Sequence, residues 1–130
     1  MITLLNSLII AGFLTVPPVP GDYCTTNNPD FKEFRYEQQV AICNRNVSYE
    51  KKNEICERDG VYDRSNFTVD HIIPLSLGGN NSDDNLWCQH KSINTASLEL
   101  EMYKDVKKRI RSVDEAIRVI LNTKFRTTVD

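Results

Sequence analysis

Four cysteines spread along 130 residues, at Cys24, Cys43, Cys56 and Cys88, constrain this chain more than any other feature. A chain of this length has room for one domain around a modest core, with little left over for a second. No Cys-x-x-Cys pair is present, which argues against a zinc knuckle of that spacing. In an oxidising compartment the four thiols would form two disulfides that staple the small core, and three pairings are open. Cys24–Cys43 with Cys56–Cys88 is the favoured set; its second bond would tie a helix ahead of the stretch Val69–Gly79 to the segment just after it. In the cytosol the same residues would be buried free thiols.

The first twenty residues bear on which compartment applies. Met1 to Pro20 carries no charge and holds an apolar run from Leu4 to Leu14, followed by Val16-Pro17-Pro18-Val19-Pro20. The run is shorter than the ~20 apolar residues a spanning helix needs. It lacks the basic start of a typical export signal, yet the proline-rich stretch would detach it from a fold. Residues 1–20 are therefore read as a signal peptide, residues 21–47 as an N-terminal extension and residues 48–130 as the main domain. The expected location is secreted or periplasmic, with no membrane span in the mature form; without export it would be cytoplasmic.

Local patterns give an α+β chain. Phe31, Phe34, Val40, Ala41 and Cys43 are loosely helical in spacing. Ser48 followed by Glu50 suits a helix start, and that helix should run to about Arg58 and stop before Gly60. Phe67-Thr68-Val69 reads as a short strand, Gly78-Gly79-Asn80-Asn81 as a turn, and Asn85-Leu86-Trp87-Cys88 as a second structured element. Leu98, Met102, Val106 and Ile110 recur every four residues, a helical stripe. Ser112 with Glu115 forms a capping box that opens a last helix.

Chemistry concentrates between Val69 and Glu101. Phosphodiester hydrolysis needs a base for water, a cation to neutralise developing charge, and rigid placement of both. The imidazole of His71 titrates near neutral pH, and the carboxylate of Asp70 is a hard ligand for a magnesium-like ion. As neighbours on a strand they would point to opposite faces, so a bend is needed to bring them to one phosphate. Taken alone the pair is weak: His71 could equally be a core histidine satisfied by a backbone carbonyl.

The longer pattern adds to it. Asp70-His71-Ile72-Ile73-Pro74-Leu75-Ser76-Leu77-Gly78-Gly79, then Asn80, then Asn85-Leu86-Trp87 fourteen residues after His71, closely resembles the HNH endonuclease family. The Asn44-Arg45-Asn46-Val47-Ser48 segment and the last helices are similar to a small exported subgroup of it. The resemblance implies a ββα-metal hairpin-helix core, here flanked by additional helices, and one divalent ion, Mg2+ or Mn2+. It implies His71 as general base, Asp70 as metal ligand, and Asn85 as the residue that holds the loop and orients His71. The last ligand departs from the pattern: Asn94 and His90 rank close together, with Glu101 behind them.

Partners follow from charge. A formal net charge of −2 excludes binding of nucleic acid by bulk charge, so phosphate contacts need a local patch or a metal. Arg45, Lys91, Lys104, Lys107 and Lys108, with Arg109 and Arg111 nearby, are the candidates for backbone contact with DNA, and with RNA as a further substrate. Trp87, between Leu86 and Cys88, reads as a core anchor and not as a base-stacking platform. Two function classes stand: a nuclease of little sequence preference, and a non-catalytic nucleic-acid-binding or structural domain on a degenerate HNH scaffold.

Overall fold

The hairpin that carries Asp70 and His71 organises everything around it. In a computed structural model of the chain, β5 (Phe67–His71) pairs antiparallel with β6 (Leu86–His90), placing Phe67 opposite His90 and His71 opposite Leu86. The structure describes residues 20–126, together with a short antiparallel pair further toward the N-terminus, β1 (Ile9–Ile10) and β2 (Phe13–Leu14). The export signal expected over residues 1–20 lies largely outside the described residues.

Among the described residues the fold is α+β, with small two-stranded antiparallel sheets and three helices. Helix α1 (Tyr49–Arg58) begins where expected: the Ser48 hydroxyl accepts from the Lys51 amide at 3.0 Å, and Gly60 beyond its end has φ 84°. Helix α2 (Ala96–Lys107) follows the hairpin directly, and α3 (Val113–Lys124) opens on the reciprocal Ser112–Glu115 capping box. The core lies between the motif loop and the last two helices, where Ile72, Ile73 and Leu77 meet Met102, Val106, Ala116, Ile117 and Ile120. None of these helices is long and apolar enough to cross a membrane.

Both disulfides join the favoured partners, Cys24–Cys43 and Cys56–Cys88, and no cysteine is left free among the described residues. The second ties α1 to β6 across 32 residues. Closing a loop of that size in the unfolded chain is worth about 3–4 kcal/mol in the chain-entropy account.

Two sequence expectations need correction. The segment Phe31–Cys43 is a hairpin and not a helix: β3 (Phe31–Arg35) pairs with β4 (Val40–Cys43) around a bulge near Phe31. Its turn depends on positive φ at Tyr36 and Gln39, 66° and 57°, which no apolar spacing reveals. The Cys24–Cys43 bond and the Asn44 amide donating to the Asp30 carbonyl at 2.8 Å close its open end. The apolar stripe of α2 ends at Val106, because the helix stops at Lys107 and Arg109 turns the chain at φ 65°. Ile110 is left 65% exposed.

The N-terminal extension docks on the motif loop. The Cys24 amide donates to the Gly78 carbonyl at 2.8 Å, the Asn80 amide to the Asp22 carbonyl at 3.2 Å, and Tyr23 bridges to Gly79. Gly79 is required there, since a Cβ would sit 1.9 Å from the Ile73 carbonyl oxygen.

Candidate active site

His71 closes β5 and is 6% exposed, with both ring nitrogens accounted for. Its Nε2 lies 2.9 Å from the Asn81 side-chain oxygen. The Asn81 amide cannot be reversed without loss, because its Nδ2 donates to Asp30 at 3.0 Å and to the Asn44 carbonyl at 2.8 Å, while its Oδ1 also accepts from the Asn46 amide at 3.1 Å. An oxygen facing Nε2 assigns the proton of the neutral ring to Nε2 and leaves a lone pair on Nδ1. That nitrogen faces the Arg45 guanidinium at 3.5 Å, an approach too long to engage it strongly.

The surroundings keep the ring neutral. Burial is the largest influence and holds the His71 imidazole below its ordinary value of 6.5; the Asn81 bond opposes this, Arg45 reinforces it, the Asp70 carboxylate opposes it, and Lys124 reinforces it.

Asp70 occupies a cleft of about 230 Å³ shared with Thr68, Gln89, Lys91, Asn94, Thr95 and Glu99. Its Oδ2 accepts from the Trp87 indole at 2.9 Å and pairs with Lys124 at 2.7 Å, whereas no donor reaches Oδ1 among the described residues. Trp87 therefore anchors in the core, its ring 4.4 Å from Phe125, and holds the carboxylate with its N–H. A second cleft of about 330 Å³ holds Lys32, Arg35, Asn44, Arg45 and Ser76, and Glu99 lines both.

Asn85 is fully buried and spends its amide on the loop and on the extension docked against it. Its Oδ1 accepts from the amides of Ile73 at 2.9 Å and Asp22 at 3.1 Å; its Nδ2 donates to the carbonyls of Ile73 at 3.1 Å and Asn80 at 2.9 Å. None of these bonds goes to His71 itself, which Asn81 holds instead.

The three alternatives for a last ligand fall in different places. Asn94 lines the Asp70 cleft, and its Oδ1 accepts from the Ala96 amide at 3.1 Å at the start of α2. His90 sits at the opposite end of the hairpin from His71, packed edge-on to Phe67 and bonded to Ser92 at 2.9 Å, so it is not brought to Asp70. Glu101 is exposed on α2, outside the Asp70 cleft. Of the basic residues, Arg45 reaches His71 and Lys91 lines the Asp70 cleft, while Lys104 and Lys107 occupy the last turn of α2 and Lys108 its cap.

Several residues of the site gave no signal in the sequence. Asn81 was legible only as part of a turn, and Glu99 only as one charge of an amphipathic helix. Lys124 reaches the strand from 53 residues away.

A divalent ion fits this donor set in one particular way. Among the described residues no three His, Cys, Asp or Glu side chains converge to hold a metal. What the cleft offers the ion is one free carboxylate oxygen and the amide oxygen of Asn94; the buried Nε2 of Gln89, without a partner among the described residues, is a hydrogen-bond donor and suits an anion or a water instead. A hard ion that keeps much of its water and shares the substrate phosphate needs little more from the protein.

No curated protein and no solved structure matches the chain significantly. A family comparison does match: residues 54–90 fit the profile described as HNH endonuclease, a stretch running from within α1 through both strands of the hairpin. With Asp70, His71 and Asn85 inside that stretch, residues 54–90 are an HNH endonuclease domain.

Proposed function

We propose that this protein is a metal-dependent endonuclease of ββα-metal type, hydrolysing phosphodiester bonds in DNA with little sequence preference, and in RNA as a further substrate. The observation that carries the reading is the fixed tautomer of His71. Its Nε2–H donates to the Asn81 side-chain oxygen, so Nδ1 is left as a neutral base at the edge of the site. A base held neutral by burial is ready near pH 7 to take a proton from water.

Asp70 would hold the ion through Oδ1, with Asn94 as a further oxygen donor; when bound, Mg2+ or Mn2+ neutralises charge developing on the phosphate and leaving oxygen. Arg45, which forms no salt bridge among the described residues, would meet a phosphate oxygen beside His71. Lys91 would do so on the Asp70 side, and the unpartnered amide of Gln89 would donate to phosphate or its water. Asn85 keeps the loop rigid so that these groups stay in register. Lys104, Lys107 and Lys108 lie roughly 8–14 Å along α2 from Glu99 and would follow the backbone of a longer duplex. Contacts of this kind read phosphates and not base edges.

The two disulfides point to an oxidising compartment, and with the uncharged N-terminal segment we infer export to the periplasm or the medium.

Nicking of supercoiled plasmid by the purified protein tests the activity. Cleavage with Mg2+ or Mn2+, abolished by EDTA, is expected. Tight DNA binding with no cleavage under any divalent ion would instead make this a non-catalytic domain on an HNH scaffold.

A further inference from the structure

Among the ion pairs of the described residues, the one charged side chain near the site with no exposure at all belongs to Lys124. Its ammonium is surrounded by four oxygens: Asp70 Oδ2 at 2.7 Å, the His71 carbonyl at 2.7 Å, the Ile72 carbonyl at 3.0 Å and Glu99 Oε2 at 3.2 Å. Two carboxylates and two backbone carbonyls form the donor set of a hard-cation cage, and here a lysine from the end of α3 fills it. A lysine used only for packing would send its head to solvent along an apolar stem. This one ends instead between the proposed metal ligand and Glu99, the residue common to both clefts.

We propose that Lys124 is a resident cation of the site, a positioning residue that determines how Asp70 meets the divalent ion. It rests on the nuclease reading above. With Lys124 and the Trp87 indole both on Oδ2, Asp70 can offer the ion only Oδ1, as a single-oxygen ligand. Glu99 is held back in the same way, its Oε2 shared between Lys124 and the Thr95 hydroxyl at 2.8 Å. The fixed positive charge also keeps a second divalent ion from settling between the two carboxylates. The cage thus favours one weakly held, exchangeable ion over a tightly chelated one.

This inverts the usual expectation for loss of a buried residue. Removing the positive charge that sits 2.7 Å from Asp70 Oδ2, and releasing two carboxylates, should tighten divalent binding by ~10-fold or more while misplacing Asp70. The test is a titration of Mn2+ into the full chain without DNA, with free ion followed by its electron paramagnetic resonance signal, alongside plasmid nicking. Lys124→Met should bind Mn2+ at least ~10-fold more tightly and nick at least ~10-fold more slowly, whereas Lys124→Arg, which keeps the charge, should stay within about threefold of wild type in Mn2+ affinity. Unchanged or weaker Mn2+ binding by a folded Lys124→Met protein overturns the proposal, because a purely structural lysine predicts that result. Should Lys124→Met fail to fold, Glu99→Gln serves: it removes a carboxylate and keeps the ammonium, so Mn2+ affinity should fall about threefold or more, and an unmoved isotherm overturns the proposal. If wild type neither binds Mn2+ nor nicks DNA, the nuclease reading fails and takes this inference with it. If wild type does both and the variants leave the isotherm unchanged, only this inference fails.

Discussion

Changing Asn85 to Asp replaces one buried atom and tests how the site is held together. In the native loop Nδ2 of Asn85 donates to the carbonyls of Ile73 and Asn80, at 3.1 and 2.9 Å, while Oδ1 accepts from the amides of Ile73 and Asp22. Asn85→Asp keeps both acceptances and turns both donations into oxygen facing oxygen. Each carbonyl left without a donor costs ~1–3 kcal/mol, and an ionised carboxylate in a fully buried pocket adds to that. The total is about 4 kcal/mol, a large share of the ~5–15 kcal/mol that holds a domain together. At ~4 °C or more per kcal/mol for a domain near this size, Tm should fall by about 15 °C. Urea and thermal unfolding with the disulfides intact measure both quantities.

The pH dependence sharpens the Asn85→Asp test. Burial raises the pKa of the introduced carboxyl above its unfolded value, and the protonated acid can donate one of the missing bonds. A raised folded pKa contributes stability that is present at low pH and lost as pH rises through that pKa. The deficit against wild type should therefore be smaller at pH 5 than at pH 8. A variant within about 1 kcal/mol of wild type at pH 8, or a deficit that does not change with pH, would refute the reasoning.

Other expectations follow from the same geometry. Because the folded pKa of His71 lies below 6.5, nicking should hold steady above that pH and be lost as pH falls through the lower folded value. Arg45→Ala removes a charge that depresses this pKa, so the acid limb of the kcat/KM profile should move to higher pH; a limb that stays put or moves down would count against Arg45 facing the ring. Asn81→Ala frees the imidazole and should slow cleavage ~10–100-fold with little change in DNA affinity, measured by single-turnover kinetics and fluorescence anisotropy. Gly79→Ala meets the Ile73 carbonyl and should destabilise by more than ~2 kcal/mol in urea, whereas Gly60→Ala, with open space around it, should cost only the ~1–2 kcal/mol of a left-handed backbone.

Local signals carried much of this fold. Ser48, Gly60 and the Ser112–Glu115 pair mark helix ends because capping is chemistry between near neighbours, and a sequence displays near neighbours directly. The hairpin strands were legible from Phe67-Thr68-Val69 and Leu86-Trp87-Cys88, and Gly78-Gly79 marked the turn between them. The hairpin at Phe31–Cys43 was not, because its turn uses tyrosine and glutamine at positive φ and its closure comes from Cys24 and Asp30.

The site divides along the same line. Asp70, His71 and Asn85 sit in one contiguous pattern that a family profile also matches. What fixes them comes from elsewhere: Asp30, Asn44 and Arg45 arrive on the extension, Glu99 on α2 and Lys124 on α3. Such partners are chosen by tertiary packing, and no periodicity in the chain announces them. His90 shows the reverse case: close to the motif in sequence, it is carried to the far end of the hairpin by a register in which each strand residue advances ~3.3 Å.

Cleavage of a labelled duplex under single-turnover conditions, by wild type and His71→Ala at equal Mn2+ and saturating protein, tests the central claim most directly. If the imidazole that Asn81 orients is the base, His71→Ala should bind the duplex as wild type does and cut it ~100-fold or more slowly. Cleavage by His71→Ala within about threefold of wild type would contradict the account, because general-base catalysis supplies ~100-fold or more.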